Sequence, residues 1–180
     1  MDRKRIIDKH SPRIDKIYPE SPLSLGNGDF GFSVDFTGLQ SFPEAYSAPL
    51  STQSNWGWHS EGGKDIYNLS DTPMQDYDGV PYPLFPDDKE DAYHWLRKNP
   101  HRVQLGQLGL YIMKENGEKA RLEDDTLLGQ HHDLWTGILT SKFSVENNEI
   151  TVKTISDPDE DTIAIHIKSE LLKNERIGVF

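Results

Sequence analysis

Leu134-Trp135-Thr136-Gly137-Ile138-Leu139-Thr140-Ser141-Lys142-Phe143-Ser144-Val145-Glu146-Asn147-Asn148-Glu149-Ile150-Thr151-Val152 is the stretch on which the fold turns. Leu134 to Phe143 is apolar on both faces, with Trp135 and Leu139 on one side and Leu134 and Ile138 on the other. A central sandwich strand would read this way. Phe143 and Val145 then turn through Asn147-Asn148 into Ile150 and Val152, a hairpin signal.

Outward from this stretch the pattern continues. Upstream, Leu108, Leu110 and Ile112 alternate, Asn116-Gly117 marks a two-residue turn, and Ala120 and Leu122 return on the partner strand. Downstream, Asp157-Pro158-Asp159 makes another turn, and Ile163, Ile165 and Ile167 alternate with polar or small residues. Nearer the start, Phe30, Phe32, Val34 and Phe36 alternate behind the tight turn Gly26-Asn27-Gly28. Strands separated by turns every ten or so residues predict an all-β chain, an antiparallel sandwich or barrel, and the expected fold is a supersandwich-like antiparallel β-sandwich.

Two regions stand apart. Residues 1–22, with Pro12, Pro19 and Pro22, read as a lead-in loop or short edge segment. Residues 43–100 are proline-rich and lack periodicity, yet ten of the 18 aromatic residues lie between Phe42 and Trp95. Disordered segments are poor in aromatics, so an ordered, surface-lining excursion is expected. It holds one short helix over 87–98, capped by Asp87 or Asp88 and stopped by Asn99-Pro100. At most one or two short helices fit the whole chain. The end, Glu175 to Phe180, reads as a strand cut short, so residues 1–180 are expected to be one sandwich domain of a longer protein.

Composition narrows the function. The formal net charge is −11, from 30 acidic and 19 basic residues. That balance disfavours a nucleic-acid partner, whose phosphates need clustered Lys and Arg, and docking on an anionic membrane. With no cysteine there is neither a disulfide framework nor a thiolate metal site. No apolar leader follows the basic start, so a cytoplasmic location is expected. His131 and His132 are adjacent and would face opposite sides of a strand, so they make no metal pair. Asp157, Asp159, Glu160 and Asp161 lack the ligand spacing of a calcium loop and read as a solvated turn. No cofactor and no metal site is indicated.

Trp56, Trp58 and His59, with Gln53 and Asn55, form the most suggestive cluster. Sugar rings present apolar C–H faces that stack on aromatic rings, while polar neighbours fix the hydroxyls. On an extended segment Trp56 and Trp58 would share a side. The competing reading is that both pack in a core or against another domain. A glycosidase needs two carboxyls flanking the sugar bond. Glu44 is the best single acidic candidate, Asp29 and Asp35 read as ordinary strand-end residues, and no catalytic residue is assigned.

Glu20-Ser21-Pro22-Leu23-Ser24-Leu25-Gly26-Asn27-Gly28-Asp29-Phe30-Gly31 resembles the stretch that opens the N-terminal β-sandwich of glycoside hydrolase family 65. Taken with Gln53 to Ser60, Asn99-Pro100-His101-Arg102 and Asp133 to Thr140, the chain is similar to a bacterial subgroup of family 65-like proteins. The resemblance implies a helical (α/α)6 toroid as the chain's own C-terminal catalytic partner, with the general acid there. It implies a carbohydrate substrate, met here by Gln53, Trp56, Trp58 and His59. The alternatives are a free-standing carbohydrate-binding sandwich and a protein-interaction domain.

Overall fold

The computed structural model describes residues 2–60, 66–83, 91–98 and 101–180, apart from the side chains of Leu69 and Pro83. The elements in chain order are α1 (Arg3–His10), β1 (Arg13–Ile14), β2 (Leu23–Gly26), β3 (Phe30–Val34), β4 (Thr52–Ser54), β5 (Trp58–His59), β6 (Met74–Tyr77), β7 (Val80–Pro83), α2 (Asp91–Lys98), β8 (His101–Arg102), β9 (Leu110–Ile112), β10 (Asp125–Asp133), β11 (Ile138–Val145), β12 (Asn148–Ser156), β13 (Ile163–Lys168) and β14 (Ile177–Val179). The chain is all-β in character, and every strand pair is antiparallel. It divides into two compact units, residues 1–54 with 104–180, and residues 55–103.

The first unit is the sandwich. Its large sheet runs β1-β10-β11-β12-β13, a three-stranded sheet runs β2-β3-β4, and β9 pairs with β14. In β11 and β12 one parity is buried: Leu139, Phe143 and Val145, then Ile150 and Val152, all at 0% exposure. In β3 the buried parity is Phe30, Phe32 and Val34. These faces join Leu110, Ile112 and Ile177 in one core cluster. Full burial of a side chain of this size stabilises by about 1.5–3 kcal/mol, so the alternating rows are what hold the layers together.

Polar contacts fix how the layers meet. The backbone loops back after β3, where Asp35 N donates to Leu39 O at 2.7 Å and Gly38 N donates to Asp35 O at 3.0 Å. The loop is buried on the inner face of the large sheet. Gln130 Nε2 donates to Asp35 O and to Ser141 Oγ, both at 2.8 Å, and Thr154 Oγ1 donates to Gly38 O at 2.8 Å. The Gly26-Asn27-Gly28 turn is also tied down: Asn27 Oδ1 accepts from Asp29 N and Phe30 N, while its amide donates to Glu160 O at 3.1 Å. Gly28 there has φ +102°.

Several expectations need correction. Residues 3–10 form a helix rather than a loop. Asp2 caps it through Arg5 N at 3.2 Å, and Lys4 pairs with Asp8 one turn on. Leu134 to Phe143 is not one strand. Residues 134–137 are the turn between β10 and β11, where Asp133 accepts from Trp135 N and Thr136 Oγ1, Gly137 has φ +72°, and Leu134 and Trp135 are exposed. The strand that pairs with β11 on this side is Asp125–Asp133, which the apolar pattern did not mark. At Asn116-Gly117 the chain does reverse, but Leu122 begins a 3-10 turn instead of continuing the strand. The hairpin between β11 and β12 turns on Glu146 and Asn147, both at positive φ, one residue earlier than predicted. The Glu175–Phe180 expectation corresponds to β14, paired with β9.

The second unit falls largely within the span set apart as irregular, yet it contains regular pairs. β5 pairs with β8, and β6 with β7 through Asp78-Gly79, both at positive φ. The expected helix is present as α2; its proposed caps at Asp87 and Asp88, and its stop at Asn99-Pro100, lie outside the described residues.

Candidate functional site

The second unit carries three of the four predicted contact residues. Asn55 and Trp56 lie in a turn, not on an extended segment, so the parity argument for a shared side does not hold for Trp56. Trp58 N donates to Trp56 O at 3.1 Å, which closes that turn. Trp58 and His59 then form β5, in register with Arg102 and His101.

Packing around this ladder is specific. The Arg102 guanidinium lies 5.4 Å from the centroid of the Trp58 ring, and its Nη2 donates to Asn55 Oδ1 at 2.5 Å. The Asn55 carbonyl, a candidate for sugar hydroxyls, is thus already engaged. His59 and His101 meet edge to face, with centroids 5.1 Å apart. His101 Nδ1 lies 2.6 Å from Lys98 O, a contact in which the ring nitrogen donates to the carbonyl.

Both indoles are open to solvent, Trp56 at 71% and Trp58 at 53% exposure. Neither is a core residue, although Trp56 makes polar or ring contacts of its own. The hairpin of β6 and β7 adds Tyr77 and Tyr82, exposed and edge to face at 6.3 Å. The sequence carries a hairpin signal here in Asp78-Gly79.

Gln53, the fourth predicted residue, belongs to the first unit. It sits in the middle of β4, opposite Gly31, and is half-buried. Glu44 is exposed on a 3-10 turn, also in the first unit.

No family model fits the chain, and neither a curated protein nor a solved structure is similar to it.

Two carboxyls in the first unit are held above their ordinary range. Burial lifts Asp35 to about 6 against the pull of its hydrogen bonds. Those bonds come from Thr37 N, Thr37 Oγ1 and Phe42 N, so Asp35 organises the turn after β3. Burial, with Asp124 and Asp35 nearby, lifts Asp125 to about 7. Both its oxygens are shut off from water without a hydrogen-bond partner among the described residues. Sequence reading missed both, since burial of an acid leaves no periodic trace. His131 and His132 face opposite sides of β10, with His132 buried and its basicity lowered by that burial. Among the described residues no cluster of three or more His, Asp or Glu side chains is placed to hold a metal ion, and no helix is long and apolar enough to cross a membrane.

Proposed function

We propose that this chain is the carbohydrate-facing, non-catalytic β-sandwich part of a family 65-like glycoside-processing enzyme, in which Trp56, Trp58 and His59 contact the saccharide. The observation that carries the reading is the exposure of both indoles, with a guanidinium over Trp58 and the His59–His101 pair in the same two-stranded ladder. Large aromatics dominate buried area when they serve as core, and exposed ones grouped with polar donors suit a sugar's C–H faces and hydroxyls. The glycine-turn motif and the antiparallel architecture agree with the family resemblance. In this reading the bond-breaking acid belongs to a helical toroid outside these 180 residues.

Calorimetric titration of the chain with neutral tetrasaccharides, maltotetraose and cellotetraose, tests it. Binding that falls at least tenfold in Trp58→Ala, with an unchanged circular-dichroism spectrum, is expected. Undiminished binding in a folded Trp56→Ala/Trp58→Ala variant would remove these residues from the site. No binding of either tetrasaccharide by the chain would count against a saccharide contact at these residues.

A further inference from the structure

The outward face of the large sheet carries a charge pattern opposite to that of the chain. Strand register aligns Arg13, His131, Thr140, Lys153 and His166 in one row across all five strands. The next row holds Lys142, Thr151 and Lys168. Four cations therefore occupy two adjacent rows with no acidic residue in either. Strands lie about 4.8 Å apart, so the first row spans about 19 Å from β1 to β13 and the second about 10 Å from β11 to β13.

Polar residues on the solvated face of an antiparallel sheet are ordinary. Their sign here is not, because the chain holds 30 acidic residues against 19 basic ones. Elsewhere Lys114 and Arg176 are neutralised by nearby carboxylates. Among the described residues none of Arg13, Lys142, Lys153 and Lys168 has a carboxylate within ion-pair distance. The face also carries two shallow depressions. One depression of about 590 Å³ is lined by Arg13, His131, Lys142 and Lys153, and another of about 540 Å³ by Lys142, Lys153, His166 and Lys168. Asp15, Glu149 and Glu170 line these depressions too, but stand outside both rows. His131 Nε2 is shut off from solvent, so His166 is the imidazole this face presents.

We infer that this face binds an anionic oligosaccharide, one bearing sulfate or carboxylate groups, laid across the strands. Cations spaced over the rows meet its charges, and Thr140, Thr151 and His166 meet its hydroxyls. A single-stranded nucleic acid is the weaker fit, because its sequence-tolerant binding relies on aromatic platforms. The outward positions of β11, β12 and β13 hold no Phe, Tyr or Trp. The inference stands apart from the tryptophan cluster, which lies in the other unit.

Fluorescence-anisotropy titrations at low salt test it, with labelled heparin octasaccharide for sulfate, octagalacturonate for carboxylate alone, maltooctaose as the neutral control, and single-stranded DNA of matched charge. Binding of at least one acidic saccharide, weakened at least tenfold in Lys142→Glu/Lys153→Glu and unchanged in Trp58→Ala, is expected. Lys142→Gln/Lys153→Gln repeats the test should charge reversal unfold the chain, and at least a threefold loss is expected there. No binding of either acidic saccharide, equal binding of the neutral one, equal or tighter binding of DNA, or indifference to the folded double variants would each overturn it.

Discussion

Arg102 ties Trp58 to Asn55: its guanidinium lies over the indole at 5.4 Å, and its Nη2 reaches the Asn55 carbonyl at 2.5 Å. One side chain thus braces both the strand carrying Trp58 and the turn carrying Trp56. A cation over an exposed ring contributes about 0.5–1 kcal/mol. Arg102→Ala should therefore leave the chain folded, with a small fall in melting temperature, and weaken neutral-sugar binding several-fold by loosening the indoles. Arg102→Lys keeps the charge but loses the planar fork, so it should restore only part of that affinity. Melting curves beside calorimetric titration check both parts. Sugar affinity unchanged in Arg102→Ala would mean the brace has no bearing on the site.

Phe143 is the centre of the sandwich core. It is fully buried on β11, meets Phe36 edge to face at 5.8 Å, and lies between Leu127 and Ile150 on the neighbouring strands. Phe143→Ala should lower stability by about 3–5 kcal/mol, the usual cost of such a cavity. Urea unfolding measures it. A loss below about 1 kcal/mol would show that the two layers do not share this core.

The core was legible because burial on a sheet repeats every second residue, and Phe30, Phe32, Val34, Phe143, Val145, Ile150 and Val152 obey that rule. The rule fails where apolar residues serve a turn. Leu134 and Trp135 read as strand, but the Asp133 carboxylate and Gly137 bend the chain there. It fails again for β10, where Leu127 and Leu128 fall at a register shift and Gln130 and His132 take the buried positions. The residue types of the tryptophan cluster were legible; the β5–β8 ladder and the Arg102 brace were not, because both depend on pairing between residues over 40 positions apart. The basic rows were invisible for the same reason, since they exist only once five strands are in register.

Two glycines separate backbone strain from steric fit. Gly28 and Gly38 have φ of +102° and +86°. A Cβ on Gly28 would meet nothing within 4 Å, whereas one on Gly38 would lie 2.8 Å from Ser141 Oγ and 3.2 Å from Ser141 Cβ. Gly28→Ala should cost about 1–2 kcal/mol, the strain of the left-handed region alone. Gly38→Ala should cost about 1–3 kcal/mol more, because Ser141 is held by Gln130 and cannot yield freely. Equal losses in denaturant unfolding would mean that the loop after β3 is not seated on the sheet as described.

Asp125 should make the fold less stable as pH rises. Its ordinary value is 3.8, and burial lifts it to about 7 in the fold. Between those values the folded chain holds a proton that the unfolded chain has released. Stability tied to this group is therefore complete below about pH 4 and is lost progressively up to about pH 7. Asp35 has the same sign with an upper limit of about 6, but its oxygens accept from Thr37 N and Phe42 N. An amide at Asp35 would turn a donor toward one of those N–H groups, so Asp35→Asn should destabilise at every pH. Asp125 has no such partners among the described residues. Asp125→Asn should therefore match the parent chain at pH 4, exceed it at pH 8, and flatten the slope between. Urea midpoints measured across that range for both variants decide it: a parent chain whose stability climbs from pH 4 to pH 7, with no flattening in Asp125→Asn, would place this carboxylate in water.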